Sequence, residues 1–282
     1  MPELLVLDFD GTVTDAEEEG RPFRTGYLED IAALVADDYE RVEERARHFE
    51  AKVAADPDSY GWVYGGAIVA PATVDPYLRV MPVARMIFDE AGIFTNEIER
   101  TRLLDAVLYK YNYTKTTTAF RPGAGEVLRA LQGTRTYVVT NSHTAPVQDK
   151  IRALGARPDG GNDLGWLVER VYGRAKKYVV DGGFDAVPEH LDIPGLSRPV
   201  LLRRKQYHDV LAKLLEDAGL GWGDLAVVGD IFELDLALPL AMGATVGLVV
   251  NDFTPAYERE FVAAHERGRI ITALDQAPAI LG

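Results

Sequence analysis

The chain has 282 residues, 47% of them hydrophobic, with 30 basic against 44 acidic side chains and a net charge of −14. That length and apolar content suit a large buried core rather than a disordered chain, and an acidic surplus of this size disfavours nucleic acid as a partner. No apolar run approaches the ~20 residues of a membrane span, and the absence of cysteine excludes disulfides and thiolate metal sites.

The chain opens Leu4-Leu5-Val6-Leu7-Asp8-Phe9-Asp10-Gly11-Thr12. Four aliphatics bounded by polar residues predict a strand buried on both faces. Two carboxylates follow it at once, where open α/β sheets place their ligands. Asp8 and Asp10 repel each other, and both stay ionised only if a cation or strong donors compensate them. Gly11 allows a tight turn or a close backbone approach.

From about Leu28 to Ala55, apolar residues recur at three- and four-residue steps, which predicts one long amphipathic helix stopped by Asp56-Pro57-Asp58. Gly61 to Pro76 is punctuated by Gly and Pro and predicts a loop. Helices are expected over Tyr77–Glu90 and Asn96–Tyr113. Residues 16–118 thus form a separate, mostly helical layer, in which Arg24, Tyr64, Arg79, Arg85 and Lys110 are candidates to face a ligand.

Phe120-Arg121-Pro122-Gly123 returns the chain to its core. Thr136-Tyr137-Val138-Val139 is a second strand, ending in Thr140-Asn141-Ser142, and His143 is expected in a solvated loop. Residues 156–200, rich in Gly and Pro, are expected to form an irregular insertion or hairpin flap. Arg203 and Arg204 look like a solvated basic patch, and Lys205 opens an amphipathic helix through Leu215. Leu225-Ala226-Val227-Val228 is a third strand, ending in Gly229-Asp230 with Asp235 five residues on. A helix over Leu236–Met242, a strand over Thr245–Val250, a helix over Tyr257–His265 and a last short strand complete the chain.

Three strand ends carrying an acid pair, a hydroxyl cluster and a second acid pair resemble the haloacid dehalogenase-like superfamily. Its DxDGT motif is matched from Asp8 to Thr12, its Thr/Ser motif at Thr140 or Ser142, and its final acidic motif at Gly229, Asp230 and Asp235. The motif lysine has two candidates. Lys205 has the expected local setting at a helix start, whereas Lys177 lies nearer the usual distance from the second motif, and Lys205 is favoured.

The resemblance implies an α/β, Rossmann-like parallel-sheet core over residues 1–15 and 119–282, with a helical cap inserted at 16–118. It implies that Asp8 is a nucleophile, Asp10 a general acid and base, and Thr140 and Lys205 catalytic supports. Gly11, Thr12, Thr140, Asn141 and Ser142 would contact substrate, and Asp8, Asp10, Asp230 and Asp235 would hold Mg²⁺. The expected activity is a phosphohydrolase for a small phosphorylated metabolite, working through an aspartyl phosphate. A phosphomutase, or a binding protein that keeps the fold, is the alternative. A monomer or homodimer is expected, free of nucleic acid and membrane. A cytoplasmic location is the default, because no basic segment followed by an apolar signal region opens the chain.

Overall fold

Leu4–Leu7 forms the first strand, β1, and all four residues are buried, as a strand covered on both faces requires. The computed structural model of the chain describes residues 1–111 and 117–282, with side chains described through 107 and from 117 onward. After β1 come helices α1 (Ala16–Val35) and α2 (Tyr39–Ala55), a pair of strands β2 (Gly61–Tyr64) and β3 (Ala67–Pro71), and helices α3 (Pro76–Ala91) and α4 (Glu97–Tyr111). Next follow α5 (Ala124–Ala130), β4 (Arg135–Val139), α6 (Thr144–Leu154), α7 (Gly165–Val168) and β5 (Val171–Tyr172). The remainder holds β6 (His190–Leu191), β7 (Val200–Leu201), α8 (Lys205–Ala218), β8 (Leu225–Gly229), α9 (Ala237–Ala241), β9 (Thr245–Val249), α10 (Ala256–Ala264) and β10 (Gly268–Ile271).

The chain divides into two compact units, one of Met1–Asp15, Val63–Ala70 and Phe120–Gly282, the other of Ala16–Trp62 and Pro71–Ala119. In the first unit six strands form one sheet in the order β10-β9-β8-β1-β4-β5. Every pair in it is parallel. This is an α/β, Rossmann-like core. Alternation along β1 sends Leu4 and Val6 to one face, with Tyr207 and Leu211 of α8. Leu5 and Leu7 go to the other, with Val127 of α5 and Ile151 of α6. Each such buried aliphatic contributes about 1.5–3 kcal/mol of transfer free energy, so helices on both faces follow from the apolar run itself.

Register matters more for function. Leu7 pairs with Val138 of β4 on one side and Val228 of β8 on the other. The carboxyl ends of β1, β4 and β8 are therefore level and adjacent, and the three candidate motifs begin there.

The second unit buries Phe23, Tyr27 and Ile31 of α1 against Phe49 of α2 and Val83 and Ile87 of α3. The single helix expected over Leu28–Ala55 is two helices. Ala36 takes a left-handed φ of 53°, the Asp37 amide turns back to the Ala32 carbonyl at 3.1 Å, and a new helix starts at Tyr39. The apolar stripe continues across this break, so its periodicity conceals the turn.

Two further expectations change. The loop expected at Gly61–Pro76 contains the paired strands β2 and β3, joined at Gly65-Gly66. The irregular insertion or hairpin flap expected at 156–200 does bring an antiparallel pair, β6 with β7, but it also contains β5, the sixth strand of the main sheet. A two-residue strand is too short for any alternation to reveal it. Among the described residues no helix is long and apolar enough to cross a membrane.

Within the second unit, Arg79 is buried, donates to both Glu17 carboxylate oxygens at 3.1 and 2.6 Å, and reaches the Thr73 carbonyl at 2.8 Å. Arg79→Met leaves these acceptors without their donor, and is expected to cost about 2 kcal/mol. Thermal unfolding of the variant should show a midpoint several degrees lower.

Candidate active site

Asp8 leaves β1 with its amide bonded to the Val228 carbonyl at 2.8 Å, so the sheet fixes where its carboxylate begins. Asp230 follows β8, and Asp235 sits in a π-helical turn, Phe232–Leu236. Such turns are rare and recur at functional sites. The turn is pinned where the Asp235 carboxylate accepts from the Ile231 amide at 3.1 Å and its carbonyl accepts from the Tyr207 hydroxyl at 2.9 Å. Carboxylate oxygens of Asp8, Asp230 and Asp235 lie within 4.8 Å of one another, and all three residues are buried.

Two glycines make room for this cluster. Gly11 has φ +86°, and a Cβ there would stand 2.1 Å from Asp230 Oδ2. At Gly229 a Cβ would meet the Asp235 side chain at 2.5 Å. Thr12 Oγ1 lies 3.4 Å from Asp8 Oδ2 and 3.2 Å from Asp230 Oδ1, bridging the two acids.

The buried cation of the site is Lys177. Its ammonium donates to Asp8 Oδ1 at 2.6 Å and to Asp235 Oδ1 at 2.8 Å, and its side chain is 1% exposed. Its own amide donates to Asn141 Oδ1 at 2.7 Å. Lys205, the favoured sequence candidate, is not there. Its side chain is 49% exposed and paired with Asp209 at 2.5 Å, one turn along α8. A lysine at a helix start reads in sequence like a motif lysine, but here the helix only supplies Tyr207 to the site. Lys177 comes instead from the loop after β5, beside β4, and the unrecognised strand explains the misplacement.

The hydroxyl cluster divides clearly. Thr140 is buried, its Oγ1 lies 3.3 Å from Asp10 Oδ2, and it accepts from the Ser142 amide at 3.1 Å. Ser142 contributes its backbone, its carbonyl accepting from the Arg174 amide at 2.7 Å. The residue that precedes α6 is His143. It is exposed, as expected of a solvated loop residue, and its Nδ1 lies 2.8 Å from an Arg174 Nη2. Asp10 stands apart from the acid cluster, with a side chain 37% exposed, and meets Lys150 Nζ at 3.5 Å. Lys150 and Arg121, whose guanidinium donates to the Gly11 carbonyl at 2.6 and 2.8 Å, carry no sequence signal that marks them for the site.

The candidates in the helical layer are used otherwise. Arg24 pairs with Glu43 and Glu50, at 2.8 and 2.7 Å. Arg79 holds Glu17, and Arg85 holds Glu97 and Thr101. Tyr64 belongs to the first unit, where its ring meets Tyr178 edge-on at 5.0 Å. The side chain of Lys110 lies outside the described residues.

Three buried carboxylates against one ammonium leave an excess of negative charge. Burial pushes the Asp8 carboxyl up to about 8, against the opposing pull of Lys177, and Asp235 adds to the rise. Burial, with Asp8 and Asp235 close by, also holds Asp230 well above the usual carboxylate range. Burial alone would lower Lys177, but Asp235 and Asp8 outweigh it and hold its ammonium charged. A hard divalent cation relieves this imbalance, and an all-oxygen donor set suits Mg²⁺. The residues present therefore fit such an ion.

A parallel α/β sheet whose acidic, hydroxyl and cationic groups converge at three adjacent strand ends is built like an enzyme site. The haloacid dehalogenase-like hydrolase family model matches residues 2–243, and the chain belongs to that family. Among solved structures it is similar to a predicted phosphoglycolate phosphatase from Haemophilus somnus 129PT, at 15% identity over 100% of this chain and 98% of that one, with a TM-score of 0.54. It is also similar to a conserved haloacid dehalogenase-like protein of unknown function from Agrobacterium tumefaciens, at 14% identity over 100% and 98% of the two chains, TM-score 0.52. At such identities the likeness shows the fold alone. No curated protein matches the chain.

The charge imbalance gives a signed expectation. With a folded value of about 8 against an ordinary 3.8, Asp8 keeps its proton in the folded, chelator-treated protein where the unfolded chain releases it. The stabilisation is complete below about pH 4 and is lost as pH rises through about 8. A bound divalent cation takes over the proton's role. Thermal midpoints in EDTA should therefore fall between pH 5 and pH 8, and added Mg²⁺ should raise the midpoint more at pH 8 than at pH 5. Equal Mg²⁺ shifts at both pH values would contradict this electrostatic account.

Proposed function

We propose that the protein is a Mg²⁺-dependent phosphohydrolase that cleaves a small phosphorylated metabolite through an aspartyl phosphate on Asp8. The observation that carries this reading is the pairing of a buried Asp8, held by Lys177, with a second carboxylate, Asp10, whose side chain stands beside Thr140. A buried carboxylate alone serves a nucleophile. The nearby, more open Asp10 adds the proton donor that a phosphoester's leaving oxygen needs. By resemblance, dehalogenases of the family usually lack that second aspartate.

Asp8 would attack phosphorus, forming a new P–O bond as the bond to the leaving oxygen breaks. Asp10 would give its proton to that oxygen. The free alcohol then departs, and Asp10 takes a proton from the water that attacks the aspartyl phosphate. Phosphate is released and the Asp8 carboxylate restored. The Thr140 hydroxyl and the backbone amides around Asn141 and Ser142 would donate to the phosphoryl oxygens, while the Lys177 ammonium offsets negative charge at Asp8. Asp8, Asp230 and Asp235 would hold Mg²⁺, completed by the Asp10 carbonyl. When bound, the ion supplies positive charge that brings two anions, Asp8 and the phosphoryl group, together. Thr12, bridging Asp8 and Asp230, would keep both carboxylates aimed at that position.

Phosphate release should be followed across phosphorylated metabolites, phosphoglycolate and sugar phosphates among them, together with p-nitrophenyl phosphate. Release is expected to require Mg²⁺, to stop in EDTA, and to vanish in Asp8→Asn, whose near-identical shape preserves the fold. Asp10→Ala should keep substrate binding and lose about 10²–10⁴-fold in kcat, the usual worth of a general acid and base. Wild-type turnover by Asp10→Ala would sink the assignment of Asp10.

A further inference from the structure

The largest fully buried side chain among the described residues is a cation that the mechanism does not use. Arg204 is 0% exposed, whereas its neighbour Arg203 reaches the surface near Glu189. Among the described residues no carboxylate lies within ion-pairing distance of it. Its guanidinium instead donates to three backbone carbonyls from three segments. Nε reaches Leu201 at 3.0 Å, Nη1 reaches Lys177, and Nη2 reaches Val69 of β3 at 2.9 Å.

Burying a guanidinium costs several kcal/mol and is tolerated only where its N–H groups are satisfied. Its planar fork of five donors spans separate acceptors in fixed directions, which a lysine ammonium does not reproduce. The three acceptors are unlike in kind. Leu201 lies three residues before Arg204 in the chain, Val69 belongs to the segment Val63–Ala70 of the first unit, and Lys177 carries the ammonium between Asp8 and Asp235.

The loop that delivers Lys177 needs such support. Arg174 and Lys176 both adopt left-handed backbone, with φ of 56° and 48°, a conformation that costs non-glycine residues and persists only when the surroundings hold it. The Arg174 and Ala175 amides are held by the Ser142 and Thr140 carbonyls, at 2.7 and 2.9 Å. The Lys177 peptide is then gripped on both sides, its N–H by Asn141 Oδ1 and its C=O by Arg204. The side chains reinforce the arrangement, with the Lys177 ammonium 5.3 Å from the centre of the Tyr207 ring and Tyr178 edge-on to Tyr64.

We infer that Arg204 is a positioning residue that couples the seating of strand β3 to the placement of the Lys177 ammonium. The role given to Lys177 in turnover rests on the phosphohydrolase reading above, but the coupling itself is a property of the fold. While Val69 occupies one arm of the fork, the other arm is oriented to hold the Lys177 carbonyl. When β3 is displaced, that orientation is lost and the strained loop relaxes. A strand distant in sequence thereby sets the charge balance at Asp8.

The test compares wild type, Arg204→Lys and Gly66→Pro in the full chain, by hydrogen–deuterium exchange and by steady-state phosphate release. Gly66 has φ +85°, which proline cannot adopt, and a Cβ there meets nothing within 4 Å. Gly66→Pro therefore loosens the β2–β3 turn without touching Arg204 or the core. Both variants are expected to exchange faster over 67–71 and over 173–179 together. Their kcat should fall about 10- to 100-fold, as a small misplacement of a catalytic group does, while KM stays within about threefold. A loosened β3 with residues 173–179 still as protected as in wild type would overturn the coupling, as would wild-type kcat in folded Arg204→Lys. Should Arg204→Lys fail to fold, Gly66→Pro decides alone. Should the wild type release no phosphate from any substrate, the proposed function fails and the exchange comparison still decides the coupling.

Discussion

The site depends on one buried ammonium set between two buried carboxylates. Lys177 lies 2.6 Å from Asp8 and 2.8 Å from Asp235, and all three are almost wholly removed from water. An unpaired charge in that position would cost about 3–5 kcal/mol, so neither the ammonium nor the acids are tolerable alone. Together with Asp230 they remain two positive charges short of balance when all are ionised. A bound divalent ion would relieve that shortfall, and without one the imbalance favours the protonated form of Asp8. Charge balance, more than any single residue, links the geometry to the proposed phosphoryl chemistry.

The sheet makes the arrangement possible by placing unrelated stretches of sequence level with one another. β1 is central, with β4 and β8 bonded to either side in a register that brings Leu7, Val138 and Val228 abreast. β1 and β8 then lead into carboxylates, and β4 into a hydroxyl cluster. Backbone geometry tightens what the sheet aligns. Gly11 and Gly229 let the acids approach without Cβ clashes, and Asp235 joins the cluster from a π-helical turn.

Much of this was legible in the sequence, and the lapses share a cause. The apolar runs at Leu4–Leu7, Thr136–Val139 and Leu225–Val228 are strands because most of their side chains need cover, and the polar residues that follow them mark the site directly. Asp8, Asp230 and Asp235 converge in space from positions that sequence alone singles out. Lys177 does not announce itself in the same way. It follows a two-residue strand and a loop in left-handed backbone, where neither periodicity nor turn residues signal the return to the sheet. Lys205, at the start of a clean amphipathic helix, offers the more conspicuous pattern and ends in solvent. Arg204 shows the same limit. Beside Arg203 it has the look of a surface pair, and only the tertiary fold reveals three carbonyls waiting for a fork of donors. The break at Ala36 was hidden because the apolar stripe continues across it.

The central claim is that the charge-compensated Asp8 is a covalent nucleophile. The most direct measurement is mass analysis of peptides from enzyme acid-quenched during steady-state turnover of its best phosphoester substrate. The account predicts the mass gain of one phosphoryl group on the peptide containing Asp8, lost on treatment with hydroxylamine. Steady turnover with Asp8 unmodified, or with the phosphoryl group on another residue, would contradict it.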